Sequence, residues 1–193
     1  MDIDILLEHY PKTVDSNGTK VSFRPLQPTD AKGFHAFFCA VPETERLFLK
    51  HRVTDIEVIR QWCTTIDYGR NLPLLAMQGK RVVANATLHQ QFGGWRRHIG
   101  RISVVTHPDF RGRGLARLLV AELVHIAQHL RLERLEAEFI GDQVAARKLF
   151  ARLGFDEILV LLGYVKDMQA IDHDYVLMGK KITTDEEFTA AAG

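Results

Sequence analysis

The 193-residue chain lacks most of the features that would assign it quickly. It has two cysteines, Cys39 and Cys63, each in a helix-like segment. That is too few for a disulfide framework and reads as two reduced thiols. It has no excess of either charge: 25 basic against 24 acidic residues leave a net +1. Nucleic acid as the main partner would call for a basic footprint. No apolar run reaches the length of a membrane span, and the start, Met-Asp-Ile-Asp-Ile-Leu-Leu-Glu-His, lacks the basic segment of a signal peptide. A cytoplasmic protein with no nucleic-acid or membrane partner is the expectation. Neither G-x-G-x-x-G nor G-x-x-x-x-G-K-[ST] occurs, which leaves dinucleotide folds and P-loops without support. His125 and His129 stand four apart on a helix, but not as H-E-x-x-H and with no third ligand evident, so no metal site is expected. No Asp or Glu lies between Gln90 and Asp109.

What is present is a hydrophobic share of 46%, enough for one core. The order of patterns is that of a mixed α/β domain. Residues 1–20 read as a lead, helical or irregular over Ile3–His9 and ending in a Ser16-Asn17-Gly18 turn; residues 21–182 form one domain; residues 183–193 form a tail. Val21–Arg24 is a strand stopped by prolines. Thr29 or Asp30 caps a helix to about Cys39, with Phe34, Phe37 and Phe38 at core spacing. Thr54 with Glu57 suggests a capping box for a helix to about Tyr68. Leu74–Gln78 and Arg81–Gln90 form a hairpin about Gly79-Lys80, and the second strand has a polar face of Asn85, Thr87 and His89 turned toward a possible cleft. A strand from about His98 to Thr106 follows. Leu115, Leu119, Leu123, Ile126 and Leu130 then make one helical stripe. A strand at Arg134–Ile140, a helix capped by Asp142 and stopped by Gly154, and strands near Ile158–Val165 and Tyr175–Ile182 complete the chain. The expected order is β-α-α-β-β-β-α-β-α-β-β, a mostly antiparallel mixed sheet with helices on both faces.

The chemistry concentrates at Val104-Val105-Thr106-His107-Pro108-Asp109-Phe110-Arg111-Gly112-Arg113-Gly114-Leu115-Ala116. A strand, a Gly-rich turn and a helix start leave amide N–H groups free to meet an anion, and Arg111 and Arg113 add charge. His107 shapes the turn. The pattern Arg111-x-x-Gly114-x-Ala116 resembles the acetyl-CoA signature (Q/R)-x-x-G-x-(G/A) of the GCN5-related N-acetyltransferase (GNAT) superfamily. Gln143-x-x-Ala146-x-x-Leu149-Phe150-x-x-x-Gly154-Phe155 is similar to a second GNAT segment, N-x-x-A-x-x-L-Y-x-x-x-G-F. Tyr10-Pro11 and Gly18–Pro25 through Asp30-Ala31 bear a loose similarity to the lead of the bacterial protein-acetylating branch.

The resemblance covers roughly residues 21–182. It implies acetyl-CoA as co-substrate and transfer of its acetyl group to a primary amine of a small molecule, an amino acid or a protein lysine, by direct attack in a ternary complex. It implies that Arg111, Gly112, Arg113, Gly114, Leu115 and Ala116 hold the pyrophosphate. Val104, Val105 and Thr106 would line the pantetheine and acetyl group, with Gln143 and Phe150 beside the cofactor. A homodimer is frequent in the family, and nothing in the sequence compels one. Two positions depart from the pattern. The usual general-acid Tyr is Phe150, and the usual Glu base aligns with Gly100. His98, two residues before Gly100 and of suitable pKa, is the substitute base; His89 is a weaker candidate, and Tyr164 and Tyr175 could line the cleft or donate to the thiol. A CoA-binding module without catalysis is the alternative reading, and a nucleotide-phosphate binder a third. Thiol release and competition by ATP tell them apart.

Overall fold

The computed structural model describes Ile3 and residues 7–49 and 52–183. Its frame is one eight-stranded sheet in the order β1-β2-β3-β4-β5-β6-β8-β7. The strands are β1 (Lys12–Ser16), β2 (Thr19–Pro25), β3 (Asn71–Gln78), β4 (Arg81–His89), β5 (Ile99–Thr106), β6 (Arg134–Ile140), β7 (Asp156–Lys166) and β8 (Asp172–Lys181). All neighbours run antiparallel except β5 and β6. The helices are α1 (Ala31–Ala40), α2 (Glu43–Arg46), α3 (Ile56–Thr64), α4 (Leu115–His129) and α5 (Val144–Arg152). The expected mixed sheet is present.

Two apolar layers hold helices to the sheet. On one face α4 buries Leu115, Leu119, Leu123 and Ile126 against Leu74, Ala86, Leu88 and Ile102. This is the stripe its spacing demands. α5 joins that layer through Phe150, which lies between Phe139 and Phe155 with ring centroids 5.1 and 4.9 Å away. On the other face Phe34, Phe37 and Phe38 of α1 pack with Ile59 and Cys63 of α3 over Leu75, Met77 and Val82. Each buried phenylalanine contributes about 1.5–3 kcal/mol by leaving water. β4 is covered on both sides, so Val82 to Leu88 are all buried despite their alternating polarity.

Several ends differ from expectation, each for a local reason. Residues 12–16, expected as part of an irregular lead, form β1. Asn17 and Gly18 take positive φ (52° and 79°), the conformation of a two-residue Asn-Gly hairpin turn, and this turn folds β1 onto β2. Tyr10 and Lys12 reach Glu122 on α4 at 2.7 and 2.8 Å, fastening the hairpin to the core. The helical part expected over Ile3–His9 lies partly outside the described residues, as does the tail beyond Thr183. At α1 the Asp30 carboxylate is engaged by both Arg24 guanidinium nitrogens, at 2.6 and 2.7 Å, and by the Gln27 N–H. α3 is capped by Asp55, which accepts the Glu57 N–H at 2.9 Å, rather than by Thr54. It stops at Thr64, where the Thr64 and Thr65 hydroxyls bond back to the Arg60 and Gln61 carbonyls and the Tyr68 hydroxyl donates to the Leu26 carbonyl at 2.6 Å. Gln143, not Asp142, is the N-cap of α5.

Gly100 sits at a crowded point of the sheet. A Cβ there would come within 2.8 to 3.0 Å of side-chain carbons of Leu132, Leu88 and Leu135. Gly100→Ala is expected to cost about 1–3 kcal/mol by overpacking, read as a lower urea midpoint. Gly100→Glu, which drives a carboxylate into the same apolar contact, is expected to abolish cooperative folding.

Candidate active site

Pairing between β5 and β6 runs Ile99↔Arg134, Gly100↔Leu135, Arg101↔Glu136 and goes no further. Both strands continue, β5 to Thr106 and β6 to Ile140, so the sheet parts between them. The strand phase says which groups face the parting. The His98 carbonyl accepts from Glu133 and Arg134 on the β6 side, while the His107 N–H donates to Val83 on the β4 side. Alternation then turns the N–H groups of Val104 and Thr106 toward the parting. A carbonyl placed there meets preorganised donors in a sheltered fork.

At the wide end of the fork the chain makes its Gly-rich turn. Gly112 and Gly114 have φ of 74° and 84°, which a side chain opposes. Gly114 is the N-cap of α4, so the free amides of the first helical turn open onto the loop. Arg113 is fixed by Thr19 (3.3 Å), the Asp109 carbonyl (3.1 Å) and the Phe110 ring. The Ser16 hydroxyl donates to the Arg113 carbonyl. Arg111 pairs with Glu45 of α2 at 2.8 Å. The β1–β2 hairpin and α2 thus brace the loop from two sides. His107 is 6% exposed and its Nδ1 accepts the Asp109 N–H. Burial, and after it the Arg81 charge, pushes its pKa down.

The sheet face beside the fork carries a polar set that composition hides. The register aligns Asn85 with Val105, Thr87 with Ser103 and His89 with Arg101, all on the face covered by α1 and α3. Across the fork stand Glu136, which binds Arg96, and Glu138, which binds Arg101 at 2.8 Å. The Tyr175 hydroxyl is pushed up to about 12 by burial and by its neighbour Glu138, so it is neutral at pH 7. The α1–α3 connection meets the β7–β8 turn on this side, through Met168 N–H to the Leu47 carbonyl and Phe48 against His173.

The expected cofactor positions therefore fall in two groups. Val104, Val105, Thr106 and the loop Arg111–Ala116 lie together along one path from fork to helix. Gln143 is exposed at the head of α5, and its Oε1 accepts the Ile140 N–H at 3.1 Å. Phe150 is 1% exposed and belongs to the core. His98 lies apart. It precedes β5 at the closed end of the pair, and its alternation with Gly100 and Ile102 puts it on the α4 side, where those two residues are buried. Tyr164 is 68% exposed on β7, its ring 6.1 Å from that of Tyr175. His125 and His129 pack ring to ring on α4, and His129 Nδ1 donates to the His125 carbonyl. Glu138, Arg101, Ser103 and Asn71 were not singled out by pattern. Their one signal was alternation within strands whose partners the sequence does not name.

An acetyltransferase (GNAT) family model matches residues 38–155, more than half of the chain. The chain belongs to the GNAT acetyltransferase family. No curated protein sequence matches it. Among solved structures it is similar to a ribosomal-protein-S5-alanine acetyltransferase from Vibrio fischeri (TM-score 0.74, 15% identity, 83% of this chain and 92% of that one). It is also similar to a ribosomal-protein-alanine N-acetyltransferase from Brucella melitensis (TM-score 0.70, 22% identity, 83% and 99%). A third is a putative acetyltransferase from Salmonella typhimurium solved with acetyl-CoA (TM-score 0.70, 16% identity, 84% and 94%). At these identities the likeness is one of fold. Among the described residues of this GNAT chain, no helix is long and apolar enough to cross a membrane.

The buried His107 yields a pH prediction. Its folded pKa is below the ordinary 6.5, so the unfolded chain binds its proton more readily. Its contribution to stability is full above pH 6.5 and declines as the pH falls through the folded value. An NMR titration is expected to find the imidazole below 6.5, and Arg81→Ala is expected to raise it.

Proposed function

We propose that this GNAT chain is an acetyl-CoA-dependent N-acetyltransferase that passes the acetyl group to a primary amine by direct attack in a ternary complex. The observation that carries the reading is the end of β5–β6 pairing at Arg101/Glu136, on the strand that leads on to the Arg111–Ala116 loop. The loop amides and the α4 N-terminus would hold the pyrophosphate. The cofactor arm would run beside Val104, Val105 and Thr106, with Gln143 at its flank and Phe150 packed beneath. The N–H groups of Val104 and Thr106 would polarise the acetyl carbonyl. The amine would enter over Ser103 and Glu138, between the α1–α3 connection and the β7–β8 turn. Much of the rate would come from holding two reactants together.

The solved structures of similar fold include ribosomal-protein-alanine acetyltransferases and a putative phosphinothricin N-acetyltransferase. Their named acceptors differ in size, and the acceptor class proposed here is the primary amine. A CoA-binding module without catalysis is the second reading. Gly100 and Phe150, both in the core, leave the usual Glu and Tyr positions without a proton-transferring group.

Calorimetric titration with acetyl-CoA is expected to give micromolar binding, with ATP inert. Amine-dependent thiol release is expected from the same protein. Binding without thiol release for any amine would favour the module; no binding by folded protein would overturn the loop assignment. Gly114→Val forces a branched side chain into left-handed backbone at a cost of about 1–2 kcal/mol. It is expected to lower acetyl-CoA affinity at least ~10-fold, an effect of about 1.4 kcal/mol, while the circular dichroism spectrum is kept.

A further inference from the structure

On the sheet face covered by α1 and α3, three polar side chains from three adjacent strands form a directed chain. His89 of β4 stands opposite Asn71 of β3 in the register and diagonal to Ser103 of β5. Asn71 Oδ1 is 2.7 Å from His89 Nδ1, and Ser103 Oγ is 3.1 Å from His89 Nε2. A carboxamide oxygen only accepts, so Nδ1 carries the ring proton. Nε2 then presents its lone pair, and the Ser103 hydroxyl donates to it. This is the order of a nucleophile or relay, a base and an orienting group.

The location gives the chain a use. Arg101 is the last cleft-face residue of β5 paired with β6, and Ser103 is the next one along that face. Ser103 is exposed, at the mouth of the fork. The other groups near the fork are committed. Glu138 is held by Arg101 and Tyr175. His98 is on the far side, and the Gly100 position has no room for a side chain.

Resting on the acetyltransferase reading, we propose that Ser103, His89 and Asn71 form the proton acceptor for the incoming amine. Ser103 touches the substrate, His89 is the base, and Asn71 is a positioning residue. An N–H bond of the acceptor ammonium breaks and its proton goes to Ser103 Oγ as the Ser103 proton passes to His89 Nε2. The freed lone pair of the amine forms the C–N bond to the acetyl carbon. The C–S bond breaks, and the thiolate leaves with the second amine proton. The His89 imidazolium, held through Nδ1–H by Asn71, returns its proton to solvent from Nε2. Arg101 of β5, opposite His89 in the register, pairs with Glu138; Glu136 of β6, opposite Arg101, pairs with Arg96, and Arg70, just before β3, with Asp67.

The test follows thiol release against pH for the full chain with acetyl-CoA and three probe amines: an N-terminal alanyl peptide, a lysine peptide and trifluoroethylamine, which is already neutral at pH 7. For the peptides, wild-type kcat/KM is expected to reach its plateau once His89 is neutral. His89→Gln and Ser103→Ala are expected to lower kcat/KM at pH 7 by about 10²-fold. The variants' rates are expected to keep rising up to the amine's own pKa, so the deficit closes at high pH. With trifluoroethylamine the deficit is expected to vanish. Asn71→Asp sets a carboxylate on Nδ1–H and is expected to move the acid limb of the profile to higher pH. Ser103 is exposed, so its variant tests the relay even where His89→Gln fails to fold. Calorimetric affinity for acetyl-CoA is expected to stay within twofold in each variant. Wild-type turnover whose profile and amine dependence survive Ser103→Ala and His89→Gln overturns the relay alone. No thiol release by wild type with any probe overturns the acetyltransferase reading and the relay with it.

Discussion

The fork between β5 and β6 is the constraint on which the rest of the molecule depends. A parallel pair needs even, slanted hydrogen bonds along its length, and here they stop after Arg101 and Glu136. Backbone N–H groups left unpaired inside a protein are costly unless something accepts them. The structure keeps the parting open from both sides. β4 holds β5 through six register pairs from Ala84↔Thr106 to His89↔Arg101, and β8 holds β6 through seven from Arg134↔Lys181 to Ile140↔Tyr175. Each diverging strand therefore has one edge held by a ladder, and it is the facing edges that part.

The same geometry explains why the residue types at this site depart from the family pattern without leaving the site empty. The residue that aligns with the usual Glu base is packed among Leu88, Leu132 and Leu135, where even a methyl group is tight and a carboxylate would meet only apolar carbon. Phe150 fills a three-ring cluster in the α5 layer. The polar side chains beside the fork stand instead on the opposite face of the sheet. There His89, Ser103, Glu138, Arg101 and Tyr175 come from β4, β5, β6 and β8. A strand face is a set of every second residue, and its side chains become neighbours of other strands' side chains only once the register is set.

The N-terminal hairpin has a comparable place. Its turn presents Ser16 and Asn17 to the Gly114 position, and Thr19 to Arg113. A glycine loop is free to take many conformations, and external contacts narrow that freedom. Glu45 of α2 does the same from the other side through Arg111. The loop is thus held by the first two strands and by α2.

The sequence by itself determined what depends on near neighbours. Repeating apolar spacing fixed α4 and the core role of Phe34, Phe37 and Phe38. Alternation marked β4 and β6 as strands, and the glycines of Arg111–Ala116 marked a turn into a helix start. These are local because a helix face or a glycine turn is complete within a few residues. Tertiary structure decided what depends on register. β1 needed β2 as a partner before its mixed residues became a strand. The side of the sheet on which position 100 or 98 falls depended on which strands pair and where pairing stops. His89, Ser103 and Asn71 lie 14 and 18 residues apart in the chain, and only the antiparallel register of β3, β4 and β5 makes them one hydrogen-bonded chain. Apolar contacts are interchangeable, and a pattern suffices to predict them; directed polar contacts require one alignment, and the packing of the whole sheet sets it.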